Sequence, residues 1–188
     1  MKPNHRYQRL ADLIAPKRIS RLFKPDCLSI IPEMNLYDNI KLLDVGCNNA
    51  RLIFSLATFL HDFEFHGLDI DPRVIHRNQA RNRFPNVHFH CAPAENMPFE
   101  NQYFDIVTCT NALDQFPQRV RALDEMHRLL KIGGEFYVLE GIRNRDRQWR
   151  NKFDKILRQS KFINPQRQIL KRNALLRKSY FVRYIKEV

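Results

Sequence analysis

The stretch Asp44-Val45-Gly46-Cys47-Asn48-Asn49-Ala50-Arg51-Leu52 closes an apolar run and opens a helical pattern. A strand-to-helix turn of this kind is where nucleotide-binding proteins place a glycine-rich loop, because the backbone must approach the ligand closely. Only one glycine stands here, followed by two asparagines and an alanine. Asparagine tolerates left-handed backbone angles, so Asn48 and Asn49 keep much of the shape of a glycine turn. Ala50 adds one methyl group where the helix starts. The stretch reads as a modified ligand loop; its plainer reading is a simple strand-to-helix turn.

Outward from this loop, short apolar runs alternate with longer helical patterns. Strands are expected over Ile40–Val45, Phe63–Leu68, Val87–Cys91, Tyr103–Cys109 and Glu135–Leu139, with two closing strands over Gln166–Leu170 and Tyr180–Ile185. Helices are expected over Ala50–Leu60, Pro72–Arg83, Gln118–Leu130 and Arg145–Lys161. Pro72 suits a first helical turn, and Gly133-Gly134 reads as a helix end and turn. In the last helix Trp149, Phe153, Ile156 and Leu157 form a core-facing stripe, although an exposed Trp149 would suit base stacking. Strands that alternate with crossover helices imply an α/β fold, a parallel sheet with helices on both faces. Residues 1–39 read as a helical extension broken at Pro16, Pro25 and Pro32, ahead of a domain over 40–188.

With 188 residues and 44% apolar side chains, the chain suits one globular domain. No apolar run reaches membrane-spanning length, and no apolar signal core follows the amino terminus, so a cytoplasmic protein is expected. The four cysteines (Cys27, Cys47, Cys91, Cys109) have no metal-ligand spacing and read as reduced thiols; no metal site is expected. Charge is uneven. Residues 141–188 carry 15 basic and 3 acidic side chains, which equals the whole net charge of +12. The basic region from Arg143 to Lys186 fits RNA or another polyanion, or else a solvated helix face.

Ligands of open parallel sheets bind beyond the carboxyl ends of the strands. Asp69 ends the second strand, 23 residues after Gly46, where a carboxylate can accept ribose hydroxyls; Asp69 could equally cap the next helix. Cys91–Phe99 is a turn-rich segment after the third strand. Cys109 ends an apolar strand and reads as a buried structural cysteine. Nicotinamide chemistry is disfavoured because no G-x-x-G follows Gly46.

Four segments then match in order and spacing: Leu43-Asp44-Val45-Gly46-Cys47, Gly67-Leu68-Asp69-Ile70-Asp71-Pro72, Ala94-Glu95-Asn96-Met97-Pro98-Phe99 with Phe104-Asp105-Ile106-Val107, and Arg128-Leu129-Leu130-Lys131-Ile132-Gly133-Gly134. Together they resemble the class I S-adenosylmethionine-dependent methyltransferases, of the small methyltransferase-domain type and with a degenerate glycine loop. The resemblance implies a Rossmann-like, seven-stranded, mostly parallel sheet whose last strand is antiparallel. It implies S-adenosyl-L-methionine as cofactor and S-adenosyl-L-homocysteine as product.

Carried over by position, Asp44 would face the methionyl amine, and Gly46, with Cys47 and Asn48 beside it, would let the backbone approach the methionyl moiety. Asp69 would accept the ribose hydroxyls, Ile70 would pack on adenine, and Ala94 would offer its N–H to an adenine nitrogen. Asn111 would line the methionyl and substrate side. Asp114 would stand near the acceptor as a general base, or would cap the following helix. Two departures weaken the pattern: Asn48 and Ala50 replace glycines, and Pro93 stands where an acidic residue would accept the adenine amine. Glu95 is the substitute at hand. A methyltransferase is therefore expected, with an acceptor that the sequence does not name: RNA, a protein or a small molecule, the basic region tilting toward RNA or another anionic partner. The alternative is a catalytically inactive methyltransferase-like protein serving as a nucleic-acid or subunit-interaction module.

Overall fold

The computed structural model describes residues 27–142, 147–162, 166–172 and 177–187, with the side chains of 142, 147–150, 166–172 and 177–179 outside the description. Among the described residues seven strands form one sheet: β1 (Lys41–Val45), β2 (Glu64–Asp69), β3 (Val87–Cys91), β4 (Phe104–Thr110), β5 (Leu130–Ile142), β6 (Gln166–Arg172) and β7 (Arg177–Ile185). Their order across the sheet is β3-β2-β1-β4-β5-β7-β6. The first five strands run parallel, and β7 runs against both β5 and β6. This is the expected α/β architecture, with the last strand antiparallel. The chain winds outward from β1 in one direction and from β4 in the other, so the crevice between their carboxyl ends is the switch point.

The central strands are buried on both faces, as near-continuous apolar runs in a parallel sheet require. Leu42, Leu43 and Val45 of β1 are fully inaccessible, and so are Val107 and Cys109 of β4. On one face, α1 (Arg51–Ala57) and α2 (Pro72–Arg81) pack Ile53, Leu56 and Ile75 against Leu42 and Phe65. Leu28, Ile30 and Ile31, from the 3-10 turn over Cys27–Glu33, join the same cluster. On the other face, α3 (Arg119–Leu129) and α4 (Arg147–Gln159) pack Leu123, Met126, Phe153 and Leu157 against Leu43, Val107 and Val138. Phe153 and Leu157 thus occupy the core as their spacing predicts. Trp149 lies in α4, but its side chain falls outside the described residues, as do Arg143, Arg145 and residues 1–26.

The helix expected over Gln118–Leu130 ends at Leu129 as α3, but Gly133-Gly134 do not form its end: β5 starts at Leu130, ahead of the expected Glu135, with no connecting residue. The glycines lie inside the strand, where the β4–β5 register shifts between Phe104 and Ile106. Gly133 takes a positive φ of 78°, which serves a bulge in place of a helix end. Its N–H donates to Lys186 at 2.7 Å, and the Lys186 N–H returns a bond to Gly134.

Among the described residues no helix is long and apolar enough to cross a membrane, and no cluster of side chains could hold a metal ion. None of the four cysteines forms a disulfide among the described residues.

Candidate functional site

The loop after β1 is left-handed at three alternate positions: Gly46 (φ 72°), Asn48 (φ 45°) and Ala50 (φ 53°). These are the three positions that a glycine-rich loop would fill with glycine. Asn48 and Ala50 therefore hold the turn without it. Ala50 is fully buried beneath the start of α1. Gly46 has a second constraint. A Cβ placed on it would lie 2.5 Å from the Ala112 methyl and 3.6 Å from the Phe116 ring, so the segment after β4 closes directly on this glycine.

The loop is tied on every side. The N–H groups of Gly46 and Cys47 both donate to the Leu68 carbonyl at 2.8 and 3.0 Å. The Asn48 N–H donates to Asp69 Oδ2 at 3.0 Å, and the Asp71 N–H donates to Asp69 Oδ1 at 3.1 Å. Helix α2 reaches back from below: Asn78 Nδ2 donates to the Asn48 carbonyl at 2.6 Å, and Arg81 Nη2 donates to the Asn49 carbonyl at 2.7 Å. The N-cap alternative for Asp69 is filled by Asp71, whose carboxylate accepts the Arg73 N–H at 2.9 Å. Asp69 thus bridges β2 to the loop, and each of its carboxylate oxygens can accept a further hydrogen bond beyond those made by the described residues.

Asp44 is only 3% exposed, and its Oδ1 accepts the Thr108 hydroxyl at 2.7 Å. Its Oδ2 has no partner among the described residues. Burial raises its carboxyl to about 7; the Thr108 bond opposes this and the charge of Asp69 adds to it. Burial also pushes both the Cys47 and Cys109 thiols well above the ordinary range, reinforced by nearby carboxylates. A protonated, inaccessible Cys109 is no nucleophile, as its place in an apolar strand suggested.

The remaining expected residues divide. Ile70 is 67% exposed at the end of β2, an apolar surface beside the crevice. Ala94 is buried, and its N–H finds no acceptor among the described residues. Glu95 is engaged elsewhere: its Oε1 accepts the Gln118 N–H at 3.1 Å, ahead of α3. Asn111 sits at φ 54° and spends its side-chain oxygen on the Gly141 N–H at 3.1 Å. Asp114 is exposed on the short 3-10 turn Leu113–Gln115; α3 begins only at Arg119 with Gln118 as its N-cap, so Asp114 does not cap it. Thr108, Asn78, Arg81 and Glu140 escaped the sequence reading. Only the helical spacing of Asn78 and Arg81, one turn apart on α2, could have linked them.

A cavity of about 420 Å³ opens along α3 and α4, lined by Gln118, Arg119, Val120, Arg121, Asp124 and Ile156. None of the loop residues after β1 or β2 borders it, so the crevice described above is a different place.

Residues 36–178 match the family described as "Methyltransferase domain". The chain is 35% identical over 94 residues to the phthiotriol/phenolphthiotriol dimycocerosates methyltransferase of Mycobacterium leprae, a match that covers 50% of this chain and 35% of that one. It is 34% identical over 100 residues to the demethylmenaquinone methyltransferase of Chlorobaculum parvum, covering 53% and 40%. The chain thus spans less than half the length of both relatives. In three dimensions it is similar to a SAM-dependent methyltransferase of Aquifex aeolicus, with a TM-score of 0.70, 13% identity, and 94% and 97% of the two chains covered.

Proposed function

We propose that this chain, which belongs to the methyltransferase-domain family, transfers a methyl group from S-adenosyl-L-methionine, the cofactor which that membership implies. The observation that carries the reading is the orphaned, buried Oδ2 of Asp44 at the switch point of the sheet, beside a loop whose glycine cannot carry a side chain.

The residues present fit the cofactor. Asp44 Oδ2 is an acceptor with no partner among the described residues, suited to the methionyl amine; burial without a partner is unfavourable for a carboxylate, so a cation there is stabilising. Asp69 stands where the ribose hydroxyls would be accepted, and its two bonds to backbone N–H groups fix its orientation. Ile70 offers apolar area for adenine, and the Ala94 N–H remains available to a ring nitrogen. Pro93 has no acceptor side chain for the adenine amine, and Glu95 is held at Gln118, so the adenine edge loses a hydrogen bond of about 1 kcal/mol.

When bound, the cofactor supplies an electrophilic methyl group on a sulfonium. Such a reaction asks the protein mainly to hold the acceptor in line and to exclude water. Asp114, on the exposed turn after β4, is the candidate to orient or deprotonate the acceptor. The acceptor is read as an organic compound of the kind that the two relatives' names give, a phthiotriol dimycocerosate or a demethylmenaquinone. A polyanionic partner, RNA included, is a second reading favoured by Lys152, Lys155, Arg158 and Lys161, all exposed on or just after α4.

Calorimetric titration with S-adenosyl-L-homocysteine tests the proposal. Binding is expected, and Asp69→Ala should weaken it by about 1.5–3 kcal/mol, the range for hydrogen bonds to a charged group. A folded chain that releases no heat up to millimolar ligand would instead be an inactive, methyltransferase-like binding module.

A further inference from the structure

Glu140 is a buried carboxylate that the mechanism above does not use. It lies near the carboxyl end of β5, opposite Tyr180 of β7, and is 3% exposed. Its Oε1 accepts two backbone N–H groups, from Ala112 at 3.1 Å and from Leu113 at 2.9 Å. The 3-10 turn Leu113–Gln115 has no cap from its own N-terminal side chain, so the cap comes from across the sheet. Burial raises the Glu140 carboxyl to about 8, although the bonds from Leu113 and Ala112 oppose that shift. A carboxyl group kept in such a place at such a disadvantage asks for a reason beyond packing, since an apolar side chain would fill the space without a desolvation penalty.

The neighbouring bonds supply one. The Asn111 N–H donates to the Leu139 carbonyl at 2.7 Å, and the Gly141 N–H donates to Asn111 Oδ1 at 3.1 Å. Residues 111–113 are therefore fastened to three successive residues of β5, with Glu140 in the middle. Ala112, the residue so fastened, is the one whose methyl group abuts Gly46. We infer that Glu140 is a positioning residue of the cofactor crevice: by holding the Ala112 and Leu113 N–H groups it sets the wall that faces Gly46. This inference rests on the proposed methyltransferase function. It makes the separation between the β1 and β4 loops depend on a side chain of β5, which does not border either loop in sequence.

The test combines S-adenosyl-L-homocysteine titration with hydrogen exchange at the Ala112 and Leu113 amides, in the whole chain carrying Glu140→Leu, Glu140→Asp or Glu140→Gln. Glu140→Leu should speed exchange at both amides and weaken binding about tenfold or more. Glu140→Gln retains an acceptor oxygen and should rescue both readouts, bringing affinity to within about threefold of the unmodified chain. A general packing defect would not be rescued selectively in this way. If Glu140→Leu fails to fold, Glu140→Asp decides: its shorter side chain withdraws the oxygen and should weaken binding in the same sense. Unchanged affinity in Glu140→Leu or Glu140→Asp, or unchanged exchange at the two amides, overturns the inference while the methyltransferase reading stands. If the unmodified chain binds no ligand, both fall.

Discussion

Three alternate residues, Gly46, Asn48 and Ala50, share left-handed backbone angles, yet only the first has no room for a side chain. For Gly46→Ala the backbone alone costs about 1–2 kcal/mol, and the new methyl would meet Ala112 at 2.5 Å. That variant should unfold at lower temperature and lose cofactor affinity. Adding Ala112→Gly should recover the part due to the clash and leave the backbone part, and a pair of thermal melts with titrations separates the two. The residues with local signatures could be read from sequence: Gly46 from its place after an apolar run, Asp69 from its distance downstream. Asn78, Arg81, Thr108 and Glu140 could not, because their partners lie 27 to 64 positions away, by hydrogen bonds that follow no period. Glu95 and Asn111 have local positions that the sequence could mark, but the N–H groups of Gln118 and Gly141 occupy side-chain oxygens in ways it could not.

At the scale of elements, strands β2 and β3 bring His66, His88 and His90 together. His66 Nδ1 and His90 Nε2 are 3.0 Å apart, and His66 Nε2 lies 2.8 Å from Glu64 Oε1. Aromatic rings of Phe99, Tyr103 and Phe104 enclose His66. Burial lowers its value from 6.5 to about 4, against the pull of Glu64 and with His90 and His88 adding to the shift. The folded chain therefore binds fewer protons here than the unfolded chain between these limits, and stability from this group is complete above pH 6.5 and lost as pH falls toward 4. Denaturant melts of the unmodified chain and of His66→Gln should converge or cross as pH is lowered through that window. Using the difference between the two cancels Asp44, whose raised carboxyl acts in the opposite sense. A constant difference would mean that His66 is not held neutral. The element boundaries that misled were those where a turn signal served another end: the glycine pair at 133–134 allows a bulge within β5, and no sequence period distinguishes that from a helix stop.

For the molecule as a whole, the parallel sheet was legible because its strands alternate with crossover helices, whereas the antiparallel last strand was implied by the family resemblance, and the order of strands came from the structure. The charge distribution was legible as well, but only part of it can be located. Lys152, Lys155, Arg158 and Lys161 are exposed, while Phe153 and Leu157 between them are buried. If this surface meets a polyanion, anisotropy with an oligouridylate should show affinity falling steeply with salt, and changing the four residues to Gln should flatten that dependence. Salt-independent affinity would reject the polyanion reading and leave a solvated surface.

The direct passage from α3 into β5 constrains how this molecule can move. A helix joined to a strand with no residue between them has no slack at that end. Any tilt of α3 must pivot at Leu129–Leu130, next to the bulge at Gly133, and must show its largest travel at the opposite tip, by Gln118. That tip is leashed to the Glu95 carboxylate and follows the turn that abuts Gly46. The helix thus has its fixed end in the sheet and its other end at Gln118, two residues past the Phe116 ring that lies beside Gly46.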